Sequence, residues 1–177
     1  MTRTLIVGLC LLALLSLGCN KDERSGNDGP APSSSVKPAT VSSSDQVVKI
    51  SSVPVNLTPN AAADTVLTLT ISPGFHVNAN PATFSYLIAT ELTPGKVDGI
   101  TAGKPLYPPA IKKKFQFAEE PLAVYEGEIS IKLNLHAEKT AATGARSLPI
   151  TLRVQACDEE KCFPPATVNA TISVAVK

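Results

Sequence analysis

Cys157 and Cys162 are the residues of this 177-residue chain best suited by type and spacing to do chemistry. Between them lies the charged run Asp158-Glu159-Glu160-Lys161, and Phe163-Pro164-Pro165 follows directly. Upstream, apolar Ile150, Leu152, Val154 and Ala156 alternate with polar Thr151, Arg153 and Gln155. Downstream, Val168, Ala170, Ile172, Val174 and Val176 alternate with Thr167, Asn169, Thr171 and Ser173. Each run reads as a strand with one buried face. Two such strands joined by a short charged loop make a β-hairpin. The cysteines then flank its neck, where cross-strand Cβ atoms come within disulfide reach.

Such a pair has three readings. It can be a clip on the hairpin, the common fate of two cysteines in a small secreted domain. That clip closes a loop of about six residues, which gives only about 2 kcal/mol by loop-closure arithmetic. It can be a redox-active dithiol, since accessible, local bridges are the labile ones. It can also join His76 and His136 in a tetrahedral zinc site, although those histidines lack paired spacing. Spacing alone leaves the first two readings level. The loop charges distinguish the sulfurs: Asp158, Glu159 and Glu160 disfavour a thiolate at Cys157, whereas Lys161 favours one at Cys162. Cys162 is therefore the better nucleophile. The same charges also suit a plain soluble hairpin tip.

The rest of the chain must deliver this pair to its compartment and hold it in place. Residues 1–18 read as a signal peptide: Arg3 supplies the positive start, and Leu5 to Leu17 form an apolar run too short to span a membrane comfortably. The run closes on Leu15-Ser16-Leu17-Gly18-Cys19, similar to a bacterial lipoprotein signal, with Ser16 where leucine is usual. Cys19 is the expected lipidation site. Residues 19–45 are Ser-, Pro- and Gly-rich and bury too little to fold, giving a flexible tether with a reach of roughly 30 Å. The mature protein is expected on the periplasmic side of a bacterial membrane, where disulfides persist. With Cys10 removed and Cys19 lipidated, Cys157 and Cys162 are the whole thiol inventory. A formal net charge of +1 gives no nucleic-acid footprint, and the absence of Trp argues against a broad aromatic ligand platform.

Residues 46–177 read as one domain. Strands are expected at Gln46–Val53, Thr65–Ser72, Tyr86–Thr93, Lys113–Phe117 and Glu128–His136, besides the two hairpin strands. Pro73-Gly74 and Pro94-Gly95 are the turn signals between them. No stretch carries a helical period, and Ala137–Ala145 has room for a turn. Many short antiparallel strands with half-buried faces predict an all-β fold, an immunoglobulin-like antiparallel β-sandwich. Phe115 and Phe117 fall on one face of their expected strand, which suits a core role, and the segment after Phe117 reads as an exposed loop. His76 reads as a satisfied loop histidine. The two prolines, which lack backbone donors, either hold the hairpin neck open or form a rigid bend.

Gln155-Ala156-Cys157 followed by Cys162-Phe163-Pro164-Pro165 resembles the periplasmic N-terminal domain of the thiol:disulfide interchange protein DsbD. Gly74-Phe75-His76-Val77-Asn78-Ala79-Asn80-Pro81, Tyr86 through Leu92, and Phe115 through Tyr125-Glu126-Gly127 look similar to the same family, so the likeness spans nearly all of residues 46–177. The resemblance implies an immunoglobulin-like domain whose cysteines cycle between dithiol and disulfide without a cofactor or metal. It implies an electron-donating membrane thiol reductase and periplasmic thioredoxin-fold clients, with Cys162 forming the mixed disulfide. It also implies a cap loop near Phe117–Pro121, with Phe117, Glu119, Tyr125, Phe163 and Pro164 around the pair. The best-known members have one more residue between the cysteines. This chain shows neither a transmembrane conduit nor a thioredoxin domain, so its donor is expected to be a separate protein. A binding module with a fixed hairpin disulfide is the alternative.

Overall fold

The computed structural model describes residues 41–177. After a 3-10 turn at Ser44–Gln46 the chain forms twelve strands: β1 Val48–Ser52, β2 Val55–Leu57, β3 Ala62–Ile71, β4 His76–Asn78, β5 Glu91–Pro94, β6 Ile100–Ala102, β7 Ile111–Lys113, β8 Leu122–Tyr125, β9 Glu128–Ala137, β10 Gly144–Val154, β11 Ala156–Cys157 and β12 Ala166–Val176. They make three four-stranded sheets, ordered β1-β3-β9-β6, β2-β12-β10-β5 and β11-β4-β8-β7. Every pairing is antiparallel except β2 with β12.

The first two sheets form the immunoglobulin-like sandwich. Strict alternation on the long strands turns Leu67, Leu69, Ile71, Ile131, Leu133 and Leu135 of one sheet toward Leu148, Ile150, Leu152, Ile172, Val174 and Val176 of the other. All twelve are buried, in a single core. β10 and β12 pair along their whole length, from Gly144 opposite Val176 to Val154 opposite Ala166. The hairpin reading of those strands therefore holds.

The third sheet closes one end of the sandwich. β3 runs into β4 through the Pro73-Gly74 turn, where Gly74 has φ +84°, and β8 runs into β9 through Gly127 at φ +63°. β10 runs into β11 through Gln155 alone. There the chain leaves the sheet of β10, and β11 pairs with β4, Ala156 opposite Val77 and Cys157 opposite His76. The link from β10 to β12 is thus a detour through another sheet, longer than the short hairpin loop expected from the sequence.

Because successive strand residues face opposite ways, the small sheet sorts its residues into two layers. Val77, Ala79, Tyr125 and Ala156 join the main core. His76, Asn78, Leu122, Val124 and Cys157 face the other way, where Leu122 and Val124 form a second cluster with Phe115, edged by Phe84, Leu87 and Ala118.

Two expected strands are corrected. Tyr86–Thr90 is turn and irregular chain, and only Glu91 onward enters a sheet, as β5. The strand expected at Lys113–Phe117 lies earlier, at Ile111–Lys113, and Phe115 falls in a turn closed by the Ala118 N–H on the Phe115 carbonyl. Phe115 is buried and Phe117 is 41% exposed, so they do not share a strand face. Their rings stack instead, with centroids 5.3 Å apart.

Candidate functional site

Cys157 and Cys162 form a disulfide with an S–S distance of 1.96 Å. Two backbone hydrogen bonds frame it: Phe163 N–H donates to the Ala156 carbonyl at 2.8 Å, and Asp158 N–H to the Lys161 carbonyl at 2.9 Å. The loop between is folded by Asp158, whose Oδ1 accepts the N–H groups of Glu160 (2.9 Å) and Lys161 (2.8 Å). Burial pushes the Asp158 carboxyl up, but those two donors and the Lys161 charge outweigh it and hold its pKa below the usual value. The sulfurs differ in access. Cys157 is fully buried on the site face of the small sheet, whereas Cys162 is half-buried.

Cys162 opens onto a groove of about 700 Å³ lined also by Phe84, Tyr86, Leu87, Phe117, Leu122 and the segment Ala118–Glu120. The far wall is aromatic, Phe84 stacking on Tyr86 at 5.3 Å, and Tyr86 is 75% exposed. The near wall is the loop Phe115–Glu120. Lys114 pins that loop by donating from Nζ to the Ala118 carbonyl at 2.8 Å and to the Glu119 carbonyl. Phe115 anchors it from below, inserted between His76 (4.0 Å, stacked) and Phe117.

Beneath this roof, His76 has 1% of its surface exposed, and its Nε2 has no hydrogen-bond partner among the described residues. Asn78, on the same strand face, donates from Nδ2 to the Ile88 carbonyl at 3.1 Å, while its Oδ1 is unpaired. Burial lowers the His76 pKa from its ordinary value; Glu126, Glu159 and Asp158 oppose that shift and Lys113 adds to it. Lys113 ties the neighbouring elements together, its Nζ 2.7 Å from Glu126 and 2.8 Å from Glu159. These hydrogen bonds raise the Lys113 pKa. The pairs are partly exposed, and each contributes at most about 1 kcal/mol.

Ser44 holds the diproline bend. Pro164 and Pro165 offer no N–H to the opposite strand, and buried Ser44 fills the gap. Its N–H (3.2 Å) and its Oγ (2.7 Å) both donate to the Pro164 carbonyl, and the Ala156 N–H donates to its Oγ at 2.9 Å. The prolines therefore make a braced bend, and the neck is not held open. Residues 41–45, placed in the tether from sequence, include this packed serine.

Phe117 and Glu119 stand with Cys162 around the groove. Phe163 lies behind the disulfide, buried against Phe75 at 5.7 Å with the Lys161 ammonium 5.5 Å from its ring centre. Pro164 is exposed and acts through its carbonyl. Tyr125 is on the opposite face of the small sheet from Cys157, its hydroxyl near Asn80 and the Pro108 carbonyl. It belongs to the main core. Cys19 lies outside the described residues. His136 is on β9, opposite Thr101 and Ala62 in the large sheet, away from the sheet that carries His76 and Cys157. Among the described residues no group of three or more His, Cys, Asp or Glu is placed to hold a metal ion.

Phe115, Phe84 and Tyr86 join the site without a sequence signal of their own, and His76, weighed from sequence as a zinc ligand or a satisfied loop histidine, lies here on β4 beside Cys157. The alternation Phe75-His76-Val77-Asn78-Ala79 was the available signal: polar side chains at every second position between apolar ones mark a strand, and His76 lies in β4, not in a loop.

No curated protein matches this chain. One structural match is to the complex between the DsbD N-terminal and PilB N-terminal domains of Neisseria meningitidis, at 16% identity over 61% of this chain and 73% of that one, TM-score 0.41. Another is to the N-terminal periplasmic domain of ScsB from Proteus mirabilis, at 11% identity and TM-score 0.42, over 73% of this chain and 45% of that one. Residues 44–173 match the family model described as thiol:disulfide interchange protein DsbD, N-terminal, and the chain, with its Cys157–Cys162 disulfide presented on an immunoglobulin-like sandwich, belongs to that family.

Proposed function

We propose that this chain is a periplasmic thiol–disulfide relay, in which Cys157 and Cys162 pass electrons from a separate membrane thiol reductase to thioredoxin-fold clients. The observation that carries the reading is the asymmetry of the disulfide, with Cys157 fully buried and Cys162 facing an aromatic-walled groove. An incoming thiolate must attack an accessible sulfur. Cys162 offers one, so it takes the mixed disulfide and Cys157 resolves it. Phe117 and Glu119 sit on the loop that limits access. Family membership supports exchange chemistry, and the complex of the neisserial DsbD domain with a PilB domain supports a protein client. Among the described residues no helix is long and apolar enough to cross a membrane. The membrane connection in this reading is lipid on Cys19.

The test is redox equilibrium. The native disulfide should equilibrate with a glutathione couple at a potential above about −300 mV, below which structural bridges usually lie. Alkylation with a mass tag at each buffer ratio reads the dithiol fraction. A pair that stays oxidised throughout that range is a structural clip on a binding module.

A further inference from the structure

The relay reading leaves Cys157 with a difficulty. After Cys162 has joined a client, Cys157 must attack as a thiolate, yet it is fully buried and followed by three acidic residues. Apolar burial and nearby negative charge both raise a thiol pKa. A resolving cysteine in this position needs a base.

The small sheet places one beside it. Cys157 pairs directly with His76 across β11 and β4. Residues directly opposite on antiparallel strands point to the same face, with Cβ atoms about 4.5–5.5 Å apart. His76 is buried, Phe115 covers one face of its ring at 4.0 Å, and its Nε2 has no partner among the described residues. An unpaired buried polar atom is destabilising and calls for an explanation. A disulfide sulfur has no proton to give and accepts poorly, whereas the dithiol state supplies a partner.

Building on the relay reading, we propose that His76 is the acid–base partner of Cys157. With Cys162 held in a mixed disulfide, the S–H bond of Cys157 breaks and its proton passes to Nε2. The sulfur's electron pair forms the new bond to the Cys162 sulfur. The bond from Cys162 to the client breaks, and the client sulfur leaves as a thiolate with that pair. The cysteine pair is oxidised by two electrons, and the client's former disulfide is reduced by two. In the opposite direction, the imidazolium returns its proton to Cys157 as that sulfur is displaced.

The surroundings fit both protonation states. Burial keeps the resting ring neutral and able to accept a proton. The imidazolium formed in the step is faced by Glu126, one residue beyond the Tyr125–Val77 pair, and by Asp158 and Glu159 from the cysteine loop; Lys113 from β7 opposes them.

The experiment uses the reduced mature protein, with Cys10 removed and Cys19 lipidated or replaced by Ser so that Cys157 and Cys162 supply the thiols, and dithiobis(nitrobenzoate). This aromatic disulfide releases one coloured thiolate when Cys162 attacks and a second when Cys157 resolves the adduct. In His76→Phe and His76→Gln the second phase at neutral pH should slow about 10²-fold, the lower end of general-base contributions, with the first phase little changed. The wild-type second phase should rise with pH and level off once His76 is neutral, whereas the variants should keep climbing toward the thiol pKa. Equal second-phase rates and pH profiles in wild type and variants would overturn the assignment. Imidazole ¹⁵N spectra of the wild type cover the case in which the variants do not fold: the His76 Nε2 shift should change on reduction, and an identical shift in both states would also overturn it. Failure of the relay itself would look different, as a wild-type disulfide that never equilibrates with glutathione while the His76 variants still slow the second phase.

Discussion

Phe115 and Phe117 stack on each other, yet truncating them should have opposite balances of stability and reactivity. Phe115 is 2% exposed and packs with Leu122 and Val124 in the small cluster under the loop of residues 115–120. Removing a buried phenylalanine costs about 3–5 kcal/mol. Phe117, Phe84 and Leu87 border the space that Phe115→Ala would leave and are only partly buried, so they can settle into it. The low end, about 3 kcal/mol, is therefore expected. Phe117 is 41% exposed. Full burial of such a ring is worth about 1.5–3 kcal/mol, and roughly three-fifths of that gives about 1–2 kcal/mol for Phe117→Ala. Urea denaturation at constant m-value measures both costs. The second assay is the native-state rate of disulfide reduction by dithiothreitol. Phe117→Ala removes part of the groove wall beside Cys162 and should speed reduction several-fold while the fold stays intact. Phe115→Ala should speed it at least as much, because the loop loses its anchor on His76. A Phe115→Ala cost below about 1 kcal/mol, together with unchanged reduction rates in both variants, would refute the account of this loop as an anchored cover.

Two further predictions concern pH and the tether. The folded-state pKa of His76 lies below its ordinary value of 6.5; the unfolded chain therefore binds more protons between the two values, and stability should fall as pH drops through 6.5 and flatten once pH is below the folded-state value. Urea midpoints across that range should show the slope, and His76→Phe should remove its main part; an unchanged slope would place it elsewhere. Replacing Cys19 with Ser should release the protein from membranes without lowering the unfolding midpoint of the domain, because the substitution lies outside residues 44–173, which match the domain family; membrane retention of that variant would contradict lipidation there.

The sandwich was legible because β3, β9, β10 and β12 are long enough for alternation to repeat. Leu67, Leu69 and Ile71, or Ile131, Leu133 and Leu135, identify one buried face with no tertiary information. The cysteine neck was legible for the same reason. The surroundings of the disulfide were harder to read. β4 and β7 have three residues each, too few for a period to stand out, and β11 has two. Tyr86 carries the aromatic character that favours strands, yet it sits 75% exposed on a turn, where the fold uses it as a groove wall. Phe115-Gln116-Phe117 looks like a strand from its alternation, but a turn at Phe115 sends one ring inward and the other to the groove. Ser44 was read as tether because its neighbours are polar. Its role depends on the unpaired backbone groups of Ala156 and Pro164, more than a hundred residues away in sequence.

The central claim is that Cys162 carries the client and Cys157 resolves it. Single Cys157→Ser and Cys162→Ser proteins, expressed in the periplasm and separated by non-reducing electrophoresis, test it most directly, with mass spectrometry to identify each adduct. Both variants should stay folded, since the bridge closes a loop of only about six residues, worth roughly 2 kcal/mol. Cys157→Ser should accumulate a mixed disulfide between Cys162 and a thioredoxin-fold protein, and Cys162→Ser, whose remaining thiol is buried, should accumulate far less. Equal trapping by the two variants would contradict the division of roles. No adduct from either, with marked destabilisation of both, would contradict the relay.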